Sequence, residues 1–164
     1  MTDRCGSIDP NVVTYLMKKE NLSADEMTEI MNKKSGFLGV SQKTSDAREM
    51  DELANNGNFQ AKLTLKMLTF QMIKYIGAYT AEMNGVDAIF FTGGIGENAP
   101  NCREEVCENM EYLGIKIDKE VNNFKGELKK ISTPDSKVEV WVIPTNEELL
   151  IARDTLAMVE GLKK

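Results

Sequence analysis

The feature that most constrains this chain is a change of hydrophobic period between residues 58 and 100. From Asn58 to Met83 apolar residues recur at three- and four-residue steps: Leu65, Leu68, Met72, Tyr75, Tyr79 and Met83. A second row, Leu63, Met67 and Phe70, makes much of the circumference apolar, so the spacing predicts a long, central and largely buried helix. The period then shortens. Val86–Thr92 reads as a buried strand, and Gly93-Gly94-Ile95-Gly96 follows it as a glycine turn. Pro100–Leu113 reads as a helix with its acidic residues outward. A strand entering a glycine turn and then a helix belongs to an α/β fold.

The flanking segments agree with that class. Asp9 is an N-cap with Pro10 at the first helical position, and Val12, Val13, Leu16 and Met17 share one face. Ser23 and Glu26 form a capping box for a helix that ends near Lys34-Ser35-Gly36. Phe37–Val40 reads as a short apolar connector, and Ser45–Arg48 opens a polar helix that stops near Gly57. Later, Gly114–Asp118 and Lys137–Pro144 read as strands, and Asn146–Gly161 as a closing helix. Helices dominate early and βαβ order holds late, which predicts one α/β domain over residues 1–164 with a helical front.

Composition narrows the function. A chain of 164 residues, 41% hydrophobic and 28% charged, supports a core without disulfides or structural metal. A net charge of -6 argues against nucleic acid and anionic membranes as partners. Cys5, Cys102 and Cys107 form no CxxC pair, which points to reduced thiols in a cytosolic protein. With no histidine, a Ser-His-Asp or Cys-His nucleophile within the chain is excluded. No apolar run is long enough to span a bilayer, and the N-terminus is not a signal peptide. Residues 1–7 read instead like a loop from the interior of a longer protein. The ten methionines read as core filling, and Cys5, beside Arg4, is a candidate for oxidation.

Four segments are candidates for chemistry. In Phe91–Asn98, glycines let backbone amides approach a ligand at the carboxyl end of a sheet, as nucleotide sites require. Gly94–Ala99 also fits the dinucleotide pattern GxGxxA, with Asp118 where a ribose-binding acid would stand, although Pro100 delays the expected helix. A tight strand-to-helix turn without ligand is the third reading. Pro144–Glu148 puts two carboxylates at a helix start, either as dipole partners or as magnesium ligands near phosphates. Asp46 and Arg48 are either a helix-start acid with a solvated arginine or a clasp for a ribose hydroxyl and a base, and Arg4 is a loop arginine able to fork onto a phosphate or carboxylate.

Taken together, these segments resemble the acetate kinase family along nearly the whole chain. The matching blocks are Arg4–Pro10, Asn32–Gly36, Asp46–Arg48, Lys74–Tyr79, Phe91–Asn98, Ile131–Asp135 and Val142–Glu148. The resemblance is to the C-terminal domain, and it implies an actin-like ATPase fold of the acetate and sugar kinase type, a sheet flanked by helices with a helical N-terminal portion. It implies magnesium-dependent phosphoryl transfer between ATP and acetate, giving acetyl phosphate and ADP. Site residues carried over are Arg4 as transition-state stabiliser, Glu147 for magnesium, and Asp46, Ala47, Arg48, Gly94, Ile95, Gly96, Glu97 and Asn98 for nucleotide. The catalytic aspartate, histidine, carboxylate-binding arginine and phosphate loop of the family belong to an N-terminal half with no counterpart here. The isolated chain is therefore expected to bind nucleotide, lack turnover and dimerise. Ala47 is smaller than is usual in the family, and Thr2-Asp3 stands where Gly-Thr is usual. Alternatives are half of a propionate or butyrate kinase, a non-catalytic dimerisation or regulatory module, and an NAD-dependent oxidoreductase domain.

Overall fold

A computed structural model describes residues 2–162. The chain divides into two compact units, Met1–Ile76 and Gly77–Lys164.

The first unit is helical. α1 (Pro10–Lys19) starts at Asp9, whose side chain accepts from the Asn11 N–H, and α2 (Ala24–Lys33) carries the complete Ser23/Glu26 capping box. Phe37–Val40, expected to be a connector, lies in a helix instead, α3 (Gly36–Ser41). Packing overrides propensity there: Phe37 is buried with Met50, Ala54 and Ala61, and that contact holds a glycine-containing segment in a helical turn. α4 (Ala47–Asn55) begins at Asp46, as its capping signal predicts.

α5 (Phe59–Glu82) matches the long helix in extent but not in burial. Its buried positions are Ala61, Thr64, Thr69 and Thr80, whereas Phe59, Met67, Phe70 and Tyr79 are exposed, Phe70 to 63%. The threonines are accommodated because Thr64 and Thr69 return their hydroxyls to carbonyls one turn back. The expectation of a largely buried helix fails for Met67 and Phe70 of one row and for Tyr79 and Met83 of the other.

The second unit contains a three-stranded sheet in the order β1-β3-β2. β1 (Ala88–Phe91) and β3 (Glu139–Val142) run parallel, with Phe91 opposite Val142, and β2 (Lys129–Lys130) pairs antiparallel with β3. The crossover from β1 to β3 carries α6 (Gly93–Asn98), α7 (Pro100–Glu108), a 3-10 turn at Glu111–Leu113 and α8 (Lys119–Asn122). Its core is Phe91, Val106, Met110, Ile115, Ile131, Val140 and Val142. α9 (Glu147–Leu162) closes the chain.

Two expectations need correction in this unit. The glycine run is not an open turn: Gly93–Asn98 closes into a short helix, with Thr92 as the residue between it and the strand. Gly114–Asp118 is not a strand either, since it contributes one isolated bridge, Ile117 to Ser132. Asp118 is drawn away as the cap of α8, where it accepts from the Glu120 and Val121 N–H groups. No helix among the described residues is long and apolar enough to cross a membrane.

Candidate functional site

The parallel pair β1/β3 determines which residues meet. Two neighbouring parallel strands send their carboxyl ends out on the same edge of the sheet, where ligands of α/β folds bind. β1 leads there into the glycine segment, and β3 leads into Pro144–Glu148. The ladder's last bond, Ile143 N–H to the Phe91 carbonyl at 2.9 Å, keeps the two exits side by side.

The three glycines of α6 differ in what they face. Gly93 has φ +71°, and a Cβ added at Gly93 or Gly94 would meet no protein atom, so this side of the segment is open. A Cβ on Gly96 would lie 3.1 Å from the Phe91 carbonyl carbon, so Gly96 is small because the strand lies against it. Asn98 returns its side-chain N–H to the Gly94 carbonyl at 2.9 Å. Asn98 and Gly94 are exposed, Ile95 and Glu97 half-buried, and Gly96 buried.

What holds the segment is Arg103, a residue not expected to matter. Its guanidinium is fully buried and uses every donor. Nη1 donates to the Gly96 and Glu97 carbonyls at 2.9 and 3.0 Å. Nη2 donates to the carbonyls of Asn122 and Phe124 at 2.8 and 3.0 Å, and Nε to the Asn122 Oδ1 at 2.8 Å. Asn122 in turn donates to the Pro100 carbonyl at 2.9 Å. Burial pulls the Arg103 guanidinium below its ordinary value and pushes the neighbouring Cys107 thiol up to about 12, which leaves that thiol unreactive. The signal was in the sequence: Arg103, Val106, Cys107 and Met110 follow the spacing of a core-facing stripe, so a cation sits at a core position.

Glu97 turns its carboxylate to the neighbouring segment. Oε1 accepts from the Thr145 N–H at 2.9 Å and from the Thr145 hydroxyl at 3.0 Å. The Thr145 N–H, then the hydroxyl and the Gly93 N–H hold this carboxyl below the usual range. Beyond Thr145, Asn146 accepts from the Leu149 N–H at 3.0 Å and caps α9, as read from the sequence. Glu147 and Glu148 stand exposed in the first turn, where a helix dipole favours anions. Among the described residues no group of three or more His, Cys, Asp or Glu could hold a metal by itself. Magnesium asks for less, taking one or two carboxylates and completing its shell with phosphate oxygens and water, which fits Glu147.

In the first unit, Asp46 and Arg48 engage each other. Arg48 Nη2 donates to Asp46 Oδ2 at 2.9 Å, while Oδ1 accepts from Arg48 Nε and from the Arg48 and Glu49 N–H groups. The Arg48 side chain and N–H hold the Asp46 carboxyl down at about 2. The pair presents a preformed ionic clasp beside half-buried Ala47, with the Arg48 side chain 90% exposed. Arg4 lies elsewhere in this unit, exposed at the mouth of a cavity of about 250 Å³ lined also by Cys5, Ser7, Phe37, Thr64 and Tyr75. Its segment is seated by Phe37 N–H to the Thr2 carbonyl and Cys5 N–H to the Met31 carbonyl, both 2.8 Å. Gly36 permits the approach: its φ is +55°, and a Cβ there would lie 2.5 Å from the Thr2 carbonyl oxygen.

The comparisons with known proteins agree on one family. The model of the acetokinase family matches residues 1–153. An acetate kinase of Thermosipho melanesiensis is 56% identical over all of this chain, which covers 41% of that protein. Among solved structures, the acetate kinase of Porphyromonas gingivalis superposes with a TM-score of 0.89 at 48% identity, covering 97% of this chain and 40% of that one. A propionate kinase from Francisella tularensis does so with a TM-score of 0.83 at 38% identity, covering 93% and 38%. The chain thus spans about two-fifths of the length of the relatives it matches. An α/β fold of this type, with the blocks from Arg4 to Glu148 in order and relatives aligned along its whole length, has one home: the chain belongs to the acetokinase family.

Proposed function

We propose that this chain supplies the nucleotide side of an acetate kinase, which moves a phosphoryl group between ATP and acetate with magnesium. The observation that carries the reading is the pairing of two exits on one sheet edge, an open glycine segment and an acid-bearing helix start, tied through Glu97 and Thr145. The open faces of Gly93 and Gly94 suit close approach of adenosine along Gly94–Asn98. The Asp46–Arg48 clasp of the first unit also suits a nucleoside, the arginine plane by stacking and the carboxylate toward ribose.

Bound magnesium would neutralise phosphate charge, and Glu147 is the carboxylate that would hold it with phosphate oxygens and water. Arg4 acts on the moving phosphoryl group itself. Its guanidinium offsets charge that grows on the transferring oxygens, an interaction stronger in the transition state than before it. The residues that bind and orient the carboxylate lie outside this chain, so the chain alone binds nucleotide without turnover. The likeness to a propionate kinase supports a second reading of the acceptor, a short-chain carboxylate larger than acetate.

Calorimetry with ADP and magnesium should give weak, saturable binding, while acetyl hydroxamate formation from acetate and ATP stays at background. Robust phosphorylation of acetate by the chain alone would overturn the half-enzyme reading. The partner we propose is a second copy, since Phe59, Leu63, Met67 and Phe70 leave an apolar row on α5. Sedimentation at micromolar concentration should give twice 18.3 kDa, and a clean monomer would reject it.

A further inference from the structure

Glu97 sits in the glycine segment, yet its carboxylate faces residues 48 positions later in the chain. Both donors of Thr145 converge on one oxygen, Oε1. The main chain of Glu97 is fixed independently, because its carbonyl accepts from Arg103 at 3.0 Å and from the Gly126 N–H at 3.2 Å. The acceptor therefore projects from an anchored backbone.

Thr145 lies where the chain needs such an anchor. The ladder ends with Ile143, and Pro144 has no N–H to offer. The Thr145 N–H and hydroxyl are the next donors available to fix the path into α9. Asn146, one residue on, caps the helix, and Glu147 follows as its first residue. An unbroken series of bonds thus runs from Arg103 through Glu97 and Thr145 to the residue before the helix.

We propose that Glu97 is a positioning residue for the magnesium carboxylate: through Thr145 it sets where α9 begins and how Glu147 is presented to the glycine segment. The inference rests on the reading of Glu147 and the glycine segment given above. Magnesium demands near-ideal ligand geometry, so a small shift of this helix start acts on the ion before it acts on adenosine. A charge-assisted pair of bonds on one oxygen fixes direction as well as distance. The main chain of Glu97 is engaged by Arg103 and Gly126, and its side chain serves the neighbouring loop.

The test is calorimetric titration of ADP into the whole chain at a series of magnesium concentrations, with melting curves alongside. Glu97→Ala should raise the magnesium concentration for half-maximal enhancement of ADP affinity about tenfold, the loss expected for a charge-assisted hydrogen bond. In Thr145→Val, a residue outside the nucleotide segment, ADP affinity without magnesium should not change. Thr145→Val keeps the N–H but not the hydroxyl and should fall between Glu97→Ala and wild type. Glu97→Gln retains an acceptor oxygen and Thr145→Ser both donors, so both should restore most of the magnesium response. A direct contact between the Glu97 side chain and nucleotide predicts the reverse pattern, with weaker ADP binding in magnesium-free buffer for Glu97→Ala and a silent Thr145→Val. That pattern overturns the proposal, as do unchanged magnesium curves in both variants. Failure of the wild-type chain to bind ADP with magnesium would remove the reading of the site, and the proposal with it.

Discussion

The glycine segment and the Arg4 segment carry the two ends of the proposed chemistry, and they are held in opposite ways. The glycine segment is wired from below by a buried guanidinium with five hydrogen bonds and from the side by the Glu97–Thr145 bonds. The Arg4 segment rests on two backbone hydrogen bonds, on the hydroxyl contact of Ser7 with Tyr75 and on the absence of a Cβ at Gly36, and none of its described bonds involves the Arg4 guanidinium. A loop that must bind adenosine reproducibly gains from preorganisation, since geometry fixed in advance is not lost on binding. An arginine that meets a moving phosphoryl group is used differently. In the proposed role the exposed Arg4 side chain meets that charge from a backbone held by the hydrogen bonds of its segment.

The largest expected effect breaks the wired side. Arg103→Ala removes five hydrogen bonds, three of them buried and two part-buried, and should cost about 3 kcal/mol or more in urea unfolding. Arg103→Lys keeps the charge but not the planar fork and should recover only part of that loss. A cost below about 0.5 kcal/mol for Arg103→Ala would show that the segment holds itself. The next effect is on the other side. Gly36→Ala forces an L side chain into left-handed backbone and onto the Thr2 carbonyl, for roughly 1–3 kcal/mol. Its signature should be local: faster hydrogen exchange at the Cys5 and Phe37 amides, with the Gly93–Asn98 amides unchanged. Equal acceleration in both segments would erase the distinction between them.

The same contrast explains what could be read from the sequence. Caps are local chemistry, so Asp9, Ser23 with Glu26, Asp46 and Asn146 announced four helix starts within a few residues. The strands flanking the site were legible from their apolar runs, but their direct pairing was not, because Gly114–Asp118 reads as a further strand between them in the chain. Contacts between distant residues left weaker traces. Arg103 reaches Asn122 and Phe124, and Glu97 reaches Thr145, and no window of sequence contains both partners. Asp118 shows how a local pattern can mislead, because an acid after an apolar run suits a ribose site and a helix cap equally, and the structure uses the cap. The long helix misled in burial for a related reason: periodicity marks which residues are apolar, while what covers them is decided outside the window.

The smallest expected change in stability carries the largest expected change in chemistry, and it tests the central claim that Arg4 and Glu147 serve a site and not the fold. Arg4→Ala should alter folding by no more than about 0.5 kcal/mol, and Glu147→Gln by a few tenths up to about 1 kcal/mol through the helix dipole. The measurement is a magnesium titration of acetyl phosphate formation, with this chain joined to the N-terminal part of an acetate kinase and melting curves recorded in parallel. Both variants should melt like the parent and lose about 100-fold or more in turnover, with the magnesium requirement raised in Glu147→Gln and unchanged in Arg4→Ala. Full activity in both variants, or a large fall in melting temperature in either, would contradict the account.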